Sequence, residues 1–182
     1  MKQTLSLIAA PTGMQPGNYV KAAYADASTP ATPSLDINVM ASGGSWEIHT
    51  RWACAQPNST VSGYTDRFAD ALAILVPCAQ EANWITMGSP EAPVEGILWR
   101  ADRDGLIRIG AQGLGSVQRQ PSPAGWRVKS EYSKGVYTLM WLFPKWENLE
   151  RFKRCGFAVW QGAQHQRAGL KSVSAGWVDL HG

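Results

Sequence analysis

Hydrophobic and polar residues alternate along several short segments of the chain, the pattern of β-strands that bury one face. The segments LDINVMA (residues 35–41) and SWEIHTRWAC (residues 45–54) both show this alternation. The residues between them, Ser-Gly-Gly at 42–44, are typical of a tight turn. Together the two segments and the turn predict a β-hairpin.

Later parts of the chain repeat this pattern of short apolar segments separated by turn residues. The further predicted strands are residues 96–101, 106–111, 126–132, 136–143, 156–163 and 176–180. Residues 146–154 (WENLERFKR) have the spacing of a short amphipathic helix. Residues 68–78 (FADALAILVPC) fit either a helix or a fully buried strand, because periodicity alone does not separate the two. The pattern predicts a mainly β protein, an antiparallel β-sandwich with a few short helices, formed by residues 1–182 as one domain.

Composition agrees with a folded domain that buries a core. Of the 182 residues, 45% are hydrophobic and 17% are charged, so an intrinsically disordered chain is excluded. The net charge is only +3 and no dense run of Lys and Arg occurs, which argues against a nucleic-acid partner. No stretch approaches the roughly 20 apolar residues that a transmembrane helix needs.

The chain lacks the common sequence signatures of metal sites and hydrolytic enzymes. Its three cysteines are Cys54, Cys78 and Cys155, and its three histidines are His49, His165 and His181. Their wide spacing argues against a disulfide scaffold and a zinc site, and the absence of C-x-x-C-H excludes covalent c-type haem attachment. No H-E-x-x-H, G-x-S-x-G or P-loop pattern is present.

Three segments, in this order, resemble one protein family. They are residues 68–102, which include ITMGSP and the later Pro-Val pair, residues 124–133, and residues 156–180, which include FAVWQG and AGLKSVS. The combination resembles the haem b subunit, or γ subunit, of type II enzymes in the DMSO reductase family. Relatives of that kind belong to ethylbenzene dehydrogenase, chlorate reductase, selenate reductase, dimethylsulfide dehydrogenase and nitrite oxidoreductase.

The resemblance implies one non-covalent haem b held between loops at the sandwich. By matching position, its iron ligands are the sulfur of Met87 and the amine of Lys171. Further residues expected to contact the cofactor are Trp84, Gly88, Trp99, Trp160 and Arg167.

The chemistry of the two implied ligands is sound, although simpler interpretations exist for both. A thioether such as that of Met87 is soft, favours ferrous iron and raises the reduction potential. Lys171 must lose a proton before it binds a metal, and burial lowers the pKa of a lysine in the required direction. By residue type alone, Met87 is a core-filling methionine and Lys171 a solvated lysine in a turn. Only the resemblance favours the ligand interpretation.

Other residues offer alternatives at the same site. His165 is the rival axial ligand, because histidine is the commoner haem ligand, although it lies in the polar run QHQR. Arg100, Arg127 and Arg167 can pair with haem propionates, and exposure to solvent is the simpler interpretation of each. Trp84, Trp99 and Trp160 either pack against the faces of the haem or fill the sandwich core, and core filling is the default for tryptophan.

Two axial ligands leave no open position on the iron, so the resemblance implies a non-catalytic subunit for electron transfer. Its implied partners are an iron–sulfur β subunit, a molybdenum bis-pterin α subunit and an external carrier such as cytochrome c. The apolar run at residues 5–10 is short for a secretory signal, which predicts a cytoplasmic location or the cytoplasmic membrane face. A periplasmic location, as in most relatives, is the alternative. A β-sandwich module that binds carbohydrate, and a γ-like subunit that has lost its cofactor, are the two competing functions.

Overall fold

The computed structural model describes residues 1–14, 28–61, 65 and 67–180, and within them the chain is almost entirely antiparallel β-structure. This confirms the predicted fold class. The strands are β1 (Lys2–Ala9), β2 (Ser34–Ser42), β3 (Ser45–Ala53), β4 (Ala71–Pro77), β5 (Val94–Arg100), β6 (Ile107–Ala111), β7 (Gln118–Pro121), β8 (Arg127–Ser133), β9 (Val136–Phe143), β10 (Arg154–Trp160), β11 (Ser172–Ser174) and β12 (Val178–Asp179). The helix α1 spans Glu147–Phe152, and two short 3-10 helices span Thr12–Met14 and Gly162–Gln164.

The strands form one curled sheet, in the order β7-β6-β5-β4-β10-β11-β1-β2-β3-β9-β8, and β12 pairs with β10. Strand β1 joins the two halves, because its residues 2–6 pair with β2 and its residues 7–9 pair with β11. One half therefore contains β4, β5, β6, β7, β10 and β11, and the other contains β2, β3, β8 and β9. We call these the cavity half and the outer half.

The two halves pack face to face around one hydrophobic core. Strands β2, β3 and β9 contribute Leu35, Ile37, Val39, Trp46, Ile48, Trp52, Tyr137, Leu139, Trp141 and Phe143. The cavity half contributes Leu72, Ile74, Val76, Ile97, Trp99, Cys155, Phe157 and Val159. The core is thus the interior of a sandwich whose two layers are continuous through β1.

The structure resolves the ambiguity at residues 68–78 in favour of a strand. Every residue of β4 is buried, which explains why the segment lacks alternation between apolar and polar residues. Its larger side chains Leu72, Ile74 and Val76 enter the sandwich core, whereas Ala73 and Leu75 belong to a second apolar cluster on the opposite face. Both faces of this strand are covered, as in the centre of a layered protein.

Most predicted elements are confirmed, including the hairpin of β2 and β3 and the helix α1. Three strands were not predicted: β1, which contains the apolar run at residues 5–9, β7 and β11. Strand β7 is exposed along its whole length, so it carries no apolar alternation to detect. No helix in the described part of the chain is long and apolar enough to cross a membrane. His181 lies outside the described residues.

Candidate functional site

A cavity of about 430 Å³ lies on the face of the cavity half that points away from the sandwich core. Its floor consists of strand residues, and its walls come from the loops at 78–93, 112–117 and 161–171. The floor residues are Ala73, Leu75, Leu98, Ile109, Ala158 and Val173. This volume falls in the range of small-molecule and cofactor sites, which are mostly apolar.

The cavity exists because small side chains lie at the centre of its floor. Ala158 of β10 is directly opposite Ala73 of β4, and its other neighbour across the sheet is Val173 of β11. Leu98 of β5 continues the same row beyond Ala73. Side chains directly opposite each other in a sheet are neighbours on one face. Two adjacent alanines therefore leave a recess between larger residues.

The loops that carry Met87 and Lys171 leave the sheet at opposite ends of the strands. The 78–93 loop follows Pro77, which pairs with Val94 at one end of β4. The 161–171 loop follows Trp160, which pairs with Ala71 at the other end of β4. Met87 and Lys171 both line the cavity, so their side chains reach it from opposite sides.

The backbone of Met87 has a conformation that is rare for a residue with a side chain. Its φ is 57°, in the left-handed region, which costs roughly 1–2 kcal/mol for a non-glycine residue. Gly88 follows with a φ of 77° and donates its N–H to the Asn83 carbonyl at 2.8 Å. The Met87 carbonyl accepts a hydrogen bond from Gly113 N–H at 3.0 Å, which ties this turn to the loop after β6. Left-handed non-glycine residues occur often at functional sites.

Trp84 fixes the same loop against the sheet. Its indole ring packs on Gly156 of β10, where a Cβ atom would overlap the ring. The indole Nε1 donates a hydrogen bond to the Ser174 carbonyl at 2.7 Å, and the ring lies 5.4 Å from that of Trp177. Trp84 also lines the cavity, so one residue both anchors the loop and forms part of the wall.

Lys171 immediately precedes β11, and its amine lies in an environment of low polarity. Its carbonyl accepts a hydrogen bond from Ala10 N–H at 2.9 Å, and its Nζ lies 5.0 Å from the centre of the Trp160 ring. Burial lowers the pKa of the Lys171 amine from 10.5 to about 8, because the charged form loses hydration. The residue as a whole is half-buried. A lysine with this pKa forms the neutral, metal-binding amine far more readily than an exposed one.

Asp70 anchors the beginning of the loop that carries Lys171. Its Oδ1 accepts the N–H of Gly162 at 2.8 Å, and its Oδ2 accepts the N–H of Asn58 at 2.6 Å and the hydroxyl of Tyr137 at 3.0 Å. Burial raises the pKa of Asp70, and these hydrogen bonds offset only part of that effect. Asp70 therefore ties the start of the 161–171 loop to the segment that contains Asn58.

The structure brings together four of the residues that the resemblance singled out: Met87, Lys171, Trp84 and Trp160 all line the cavity. Gly88 adjoins Met87 and packs tightly, since an added Cβ would lie 2.6 Å from the Ala92 carbonyl oxygen.

Trp99 is not brought to this cavity. It follows Leu98 on β5, and successive residues of a strand point to opposite faces. Its ring enters the sandwich core, 6.1 Å from the ring of Trp52 and 5.5 Å from that of Tyr137.

Arg167 lies beside the cavity rather than in it. It lines a smaller neighbouring cavity of about 200 Å³, and its guanidinium lies 4.5 Å from the centre of the Phe68 ring. The rival ligand His165 is exposed and lines neither cavity, and Arg127 is exposed on β8 of the outer half.

Several cavity residues were not singled out from the sequence. They are the floor residues together with Ile85, Leu114, Gly115, Val117, Arg119, Ala168 and Gly169. The alternation of small and large residues in ALAILV was an available signal for the floor, since alanines on one face of a buried strand leave space. Nothing in the sequence near Arg119 marks it, because β7 has no apolar pattern.

The donor atoms in the cavity suit a metal whose remaining ligands come from a cofactor rather than from the protein. Within the described residues, no group of three or more His, Cys, Asp and Glu side chains could hold a bare metal ion. The cavity instead offers one thioether and one amine, from opposite ends of the strands, between apolar walls. A haem supplies four nitrogen ligands and a flat apolar ring, so the residues present fit that group.

Comparison with known proteins identifies three relatives of this chain, although no protein-family model matches it. The γ subunit of dimethylsulfide dehydrogenase from Rhodovulum sulfidophilum is 30% identical over 163 residues, covering 80% of this chain and 60% of the relative. A proposed haem subunit of respiratory nitrate reductase from Haloferax mediterranei is 33% identical over 136 residues, or 70% and 48% of the two chains. The γ subunit of chlorate reductase from Ideonella dechloratans is 29% identical over 165 residues, or 84% and 66%. The matched region therefore spans from about half to two thirds of the length of these relatives.

Proposed function

The chain belongs to the γ subunits of type II enzymes in the DMSO reductase family, and we propose on that basis that it is an electron-transfer subunit. In this proposal the 430 Å³ cavity of the cavity half holds one haem b without a covalent bond. Met87 and Lys171 would bind its iron.

One observation carries this proposal: a thioether and an amine with a lowered pKa line the same apolar cavity. Met87 and Lys171 are 84 residues apart in the sequence. Their convergence is unexpected if Met87 merely fills a core and Lys171 is a solvated surface residue. The left-handed backbone at Met87 supports a functional role as well, since a core-filling methionine gains nothing from that conformation.

Haem, when bound, supplies reversible one-electron oxidation and reduction. The residues of the cavity set its reduction potential. The neutral Met87 sulfur favours the reduced metal and raises the potential. The apolar floor and the Trp84 and Trp160 rings exclude water from the cavity. This exclusion also raises the reduction potential. Two protein ligands leave no position for a substrate, so the chain is proposed to be non-catalytic.

The proposed partners follow from the family. An iron–sulfur β subunit would exchange electrons with this chain, a molybdenum bis-pterin α subunit would perform the substrate chemistry, and a carrier such as cytochrome c would connect the complex to its surroundings. Isolation of the full chain with its neighbours, followed by identification of the co-purifying subunits, tests this part.

Absorption spectra of the full chain and two variants test the cofactor assignment. Wild-type protein is expected to carry one b-type haem with a low-spin spectrum. Met87→Ala should retain haem but lower its reduction potential, because the thioether ligand is lost. Lys171→Ala should shift the ferric spectrum toward high spin.

Matched substitutions on the outer half serve as controls. Met140→Ala removes an exposed methionine of β9, and Lys129→Ala removes an exposed lysine of β8. Both should leave the spectrum and potential unchanged. A wild-type chain that binds no haem, or equal effects of the cavity and control variants, would reject the proposal.

The competing carbohydrate-binding function requires tryptophan rings exposed for stacking on sugars. All nine tryptophans lie in the described part of the chain, and each is buried or half-buried. The described part of the chain therefore lacks the exposed row of tryptophans on which that alternative depends.

A further inference from the structure

The smaller cavity that adjoins the proposed haem cavity has a strongly cationic wall. Four arginines line it: Arg67, Arg100, Arg119 and Arg167. No Asp or Glu occurs among the described residues that line either cavity. We call these four arginines, with the space between them, the arginine vestibule.

The vestibule and the proposed haem cavity share one wall. Leu98, Trp160, Ala168 and Arg119 line both spaces. The two spaces are therefore adjacent, and a ligand that fills the apolar cavity would have the arginines beside it. The apolar space is on one side of these residues and the cationic space is on the other, which matches an amphiphilic ligand.

Arg100 and Arg119 of the vestibule differ in their ion pairing. Arg100 forms a bidentate pair with Asp102, at 2.8 and 2.7 Å. Arg119 has no ion-pair partner among the described residues, and Arg167 lies against the Phe68 ring. An arginine side chain is the preferred partner of a carboxylate because its planar donors match the two oxygens.

We propose that the arginine vestibule binds the two propionate carboxylates of the haem, with Arg119 and Arg167 as their principal partners. This inference rests on the proposed function and adds an orientation to it: the carboxylate edge of the ring lies on the side of the cavity that adjoins the vestibule, beside Arg119 and Arg167. Arg119 thereby gives the exposed edge strand β7 a role in the site.

Titration of the haem-free full chain with haem and with haem dimethyl ester tests this orientation. The ester keeps the iron and the ring but removes both negative charges. Wild-type protein should bind haem about tenfold more tightly than the ester, since several charge-assisted hydrogen bonds are lost. Arg119→Gln should reduce that preference about two- to fivefold, and Arg119→Gln with Arg167→Gln should nearly abolish it.

The ratio of the two affinities is the measured quantity, because it cancels any general effect of a variant on the cavity. Arg127→Gln, on β8 of the outer half, makes the same charge change away from both cavities and should leave the ratio unchanged. Arg119→Lys should keep part of the preference, because the charge remains.

Three results would overturn the inference. They are equal affinity of the wild type for haem and ester, a ratio in the double variant that matches wild type, and a ratio in Arg127→Gln that falls as far as in Arg119→Gln. Binding of haem with any of these results would leave the proposed function standing. Failure of the wild type to bind either compound would instead reject the proposed function together with this inference.

Discussion

At the scale of single residues, Lys171 illustrates how the environment changes the chemistry of a side chain. Its amine lies against the Trp160 ring and lines an apolar cavity, and burial lowers its pKa to about 8. Near neutral pH, the haem-free protein must keep a charged ammonium group in this unfavourable place. The cost arises from the same desolvation that makes the amine available as a metal ligand.

Replacing Lys171 by Met should therefore stabilise the haem-free protein at neutral pH. Between pH 8 and pH 10.5 the unfolded chain binds more protons at this site than the folded chain, so wild-type stability rises with pH across that window. The free energy of unfolding of Lys171→Met should exceed that of the wild type by at most about 3 kcal/mol near pH 7, and the difference should shrink toward pH 10. Urea unfolding at both pH values measures it.

Lys129→Met is the control for that comparison, since Lys129 is exposed. Its stability relative to wild type should not change with pH in the same range. An advantage of Lys171→Met that is constant from pH 7 to pH 10 would show that the gain comes from added apolar surface alone.

At the scale of elements, strand β10 connects the two sides of the molecule. Phe157 and Val159 enter the sandwich core, while Ala158 forms the cavity floor and Gly156 receives the Trp84 ring. The absence of a side chain at Gly156 allows the indole to lie directly on the sheet. The position of Trp84, and with it that of the loop carrying Met87, depends on this glycine.

Gly156→Ala should displace Trp84 and disturb the cavity. The added methyl group overlaps the buried indole ring, so the variant should lose about 1–3 kcal/mol of stability and bind haem more weakly. Gly110→Ala on the neighbouring strand β6 is a matched control, because its nearest neighbour is the Val94 carbonyl oxygen at 3.9 Å. If both variants bind haem equally well, Trp84 does not position the site.

The elements were predicted well where a segment buries one face and poorly elsewhere. The hairpin of β2 and β3 has clear alternation, and its register follows from the turn at Gly43 and Gly44, both in the left-handed region. Strand β7 is exposed and β11 is only three residues long, so neither has a pattern that a sequence can display. Their existence depends on pairing with partners that are distant in the chain.

The candidate site was predictable only through resemblance. A methionine in a loop and a lysine before a short strand look ordinary by residue type. Their meeting in one cavity depends on the register of β4, β10 and β11, which periodicity does not give. Trp99 shows the converse: β5 was predicted, yet the face on which each of its residues lies becomes clear only when its partners are known.

At the scale of the whole molecule, the residues that stabilise the fold and the residues of the proposed haem site lie on opposite faces of the curled sheet. The sandwich core lies on one face of β4, β5 and β10, and the cavity lies on the other. Residues of the same type therefore serve different purposes on the two faces. The two tryptophans Trp99 and Trp160 provide the test, since Trp99 is in the core and Trp160 lines the cavity.

Trp99→Phe should reduce the stability of the full chain by about 1–3 kcal/mol, because it leaves a void in a packed core. It should leave haem affinity unchanged. Trp160→Phe should have a smaller effect on unfolding and a larger one on haem affinity, since its ring contacts the Lys171 amine and forms the cavity wall. A loss of affinity in Trp99→Phe as great as in Trp160→Phe would contradict the separation of the two faces.

The spin state of ferric Lys171→Ala, measured by electron paramagnetic resonance before and after addition of ethylamine, tests the central claim most directly. Removal of the amine ligand should convert the low-spin signal of the wild type to a high-spin signal. Ethylamine, which replaces the missing end of the side chain, should restore low spin in this variant and have no effect on Lys129→Ala. A low-spin signal in Lys171→Ala without added amine, identical to that of the wild type, would contradict ligation by Lys171.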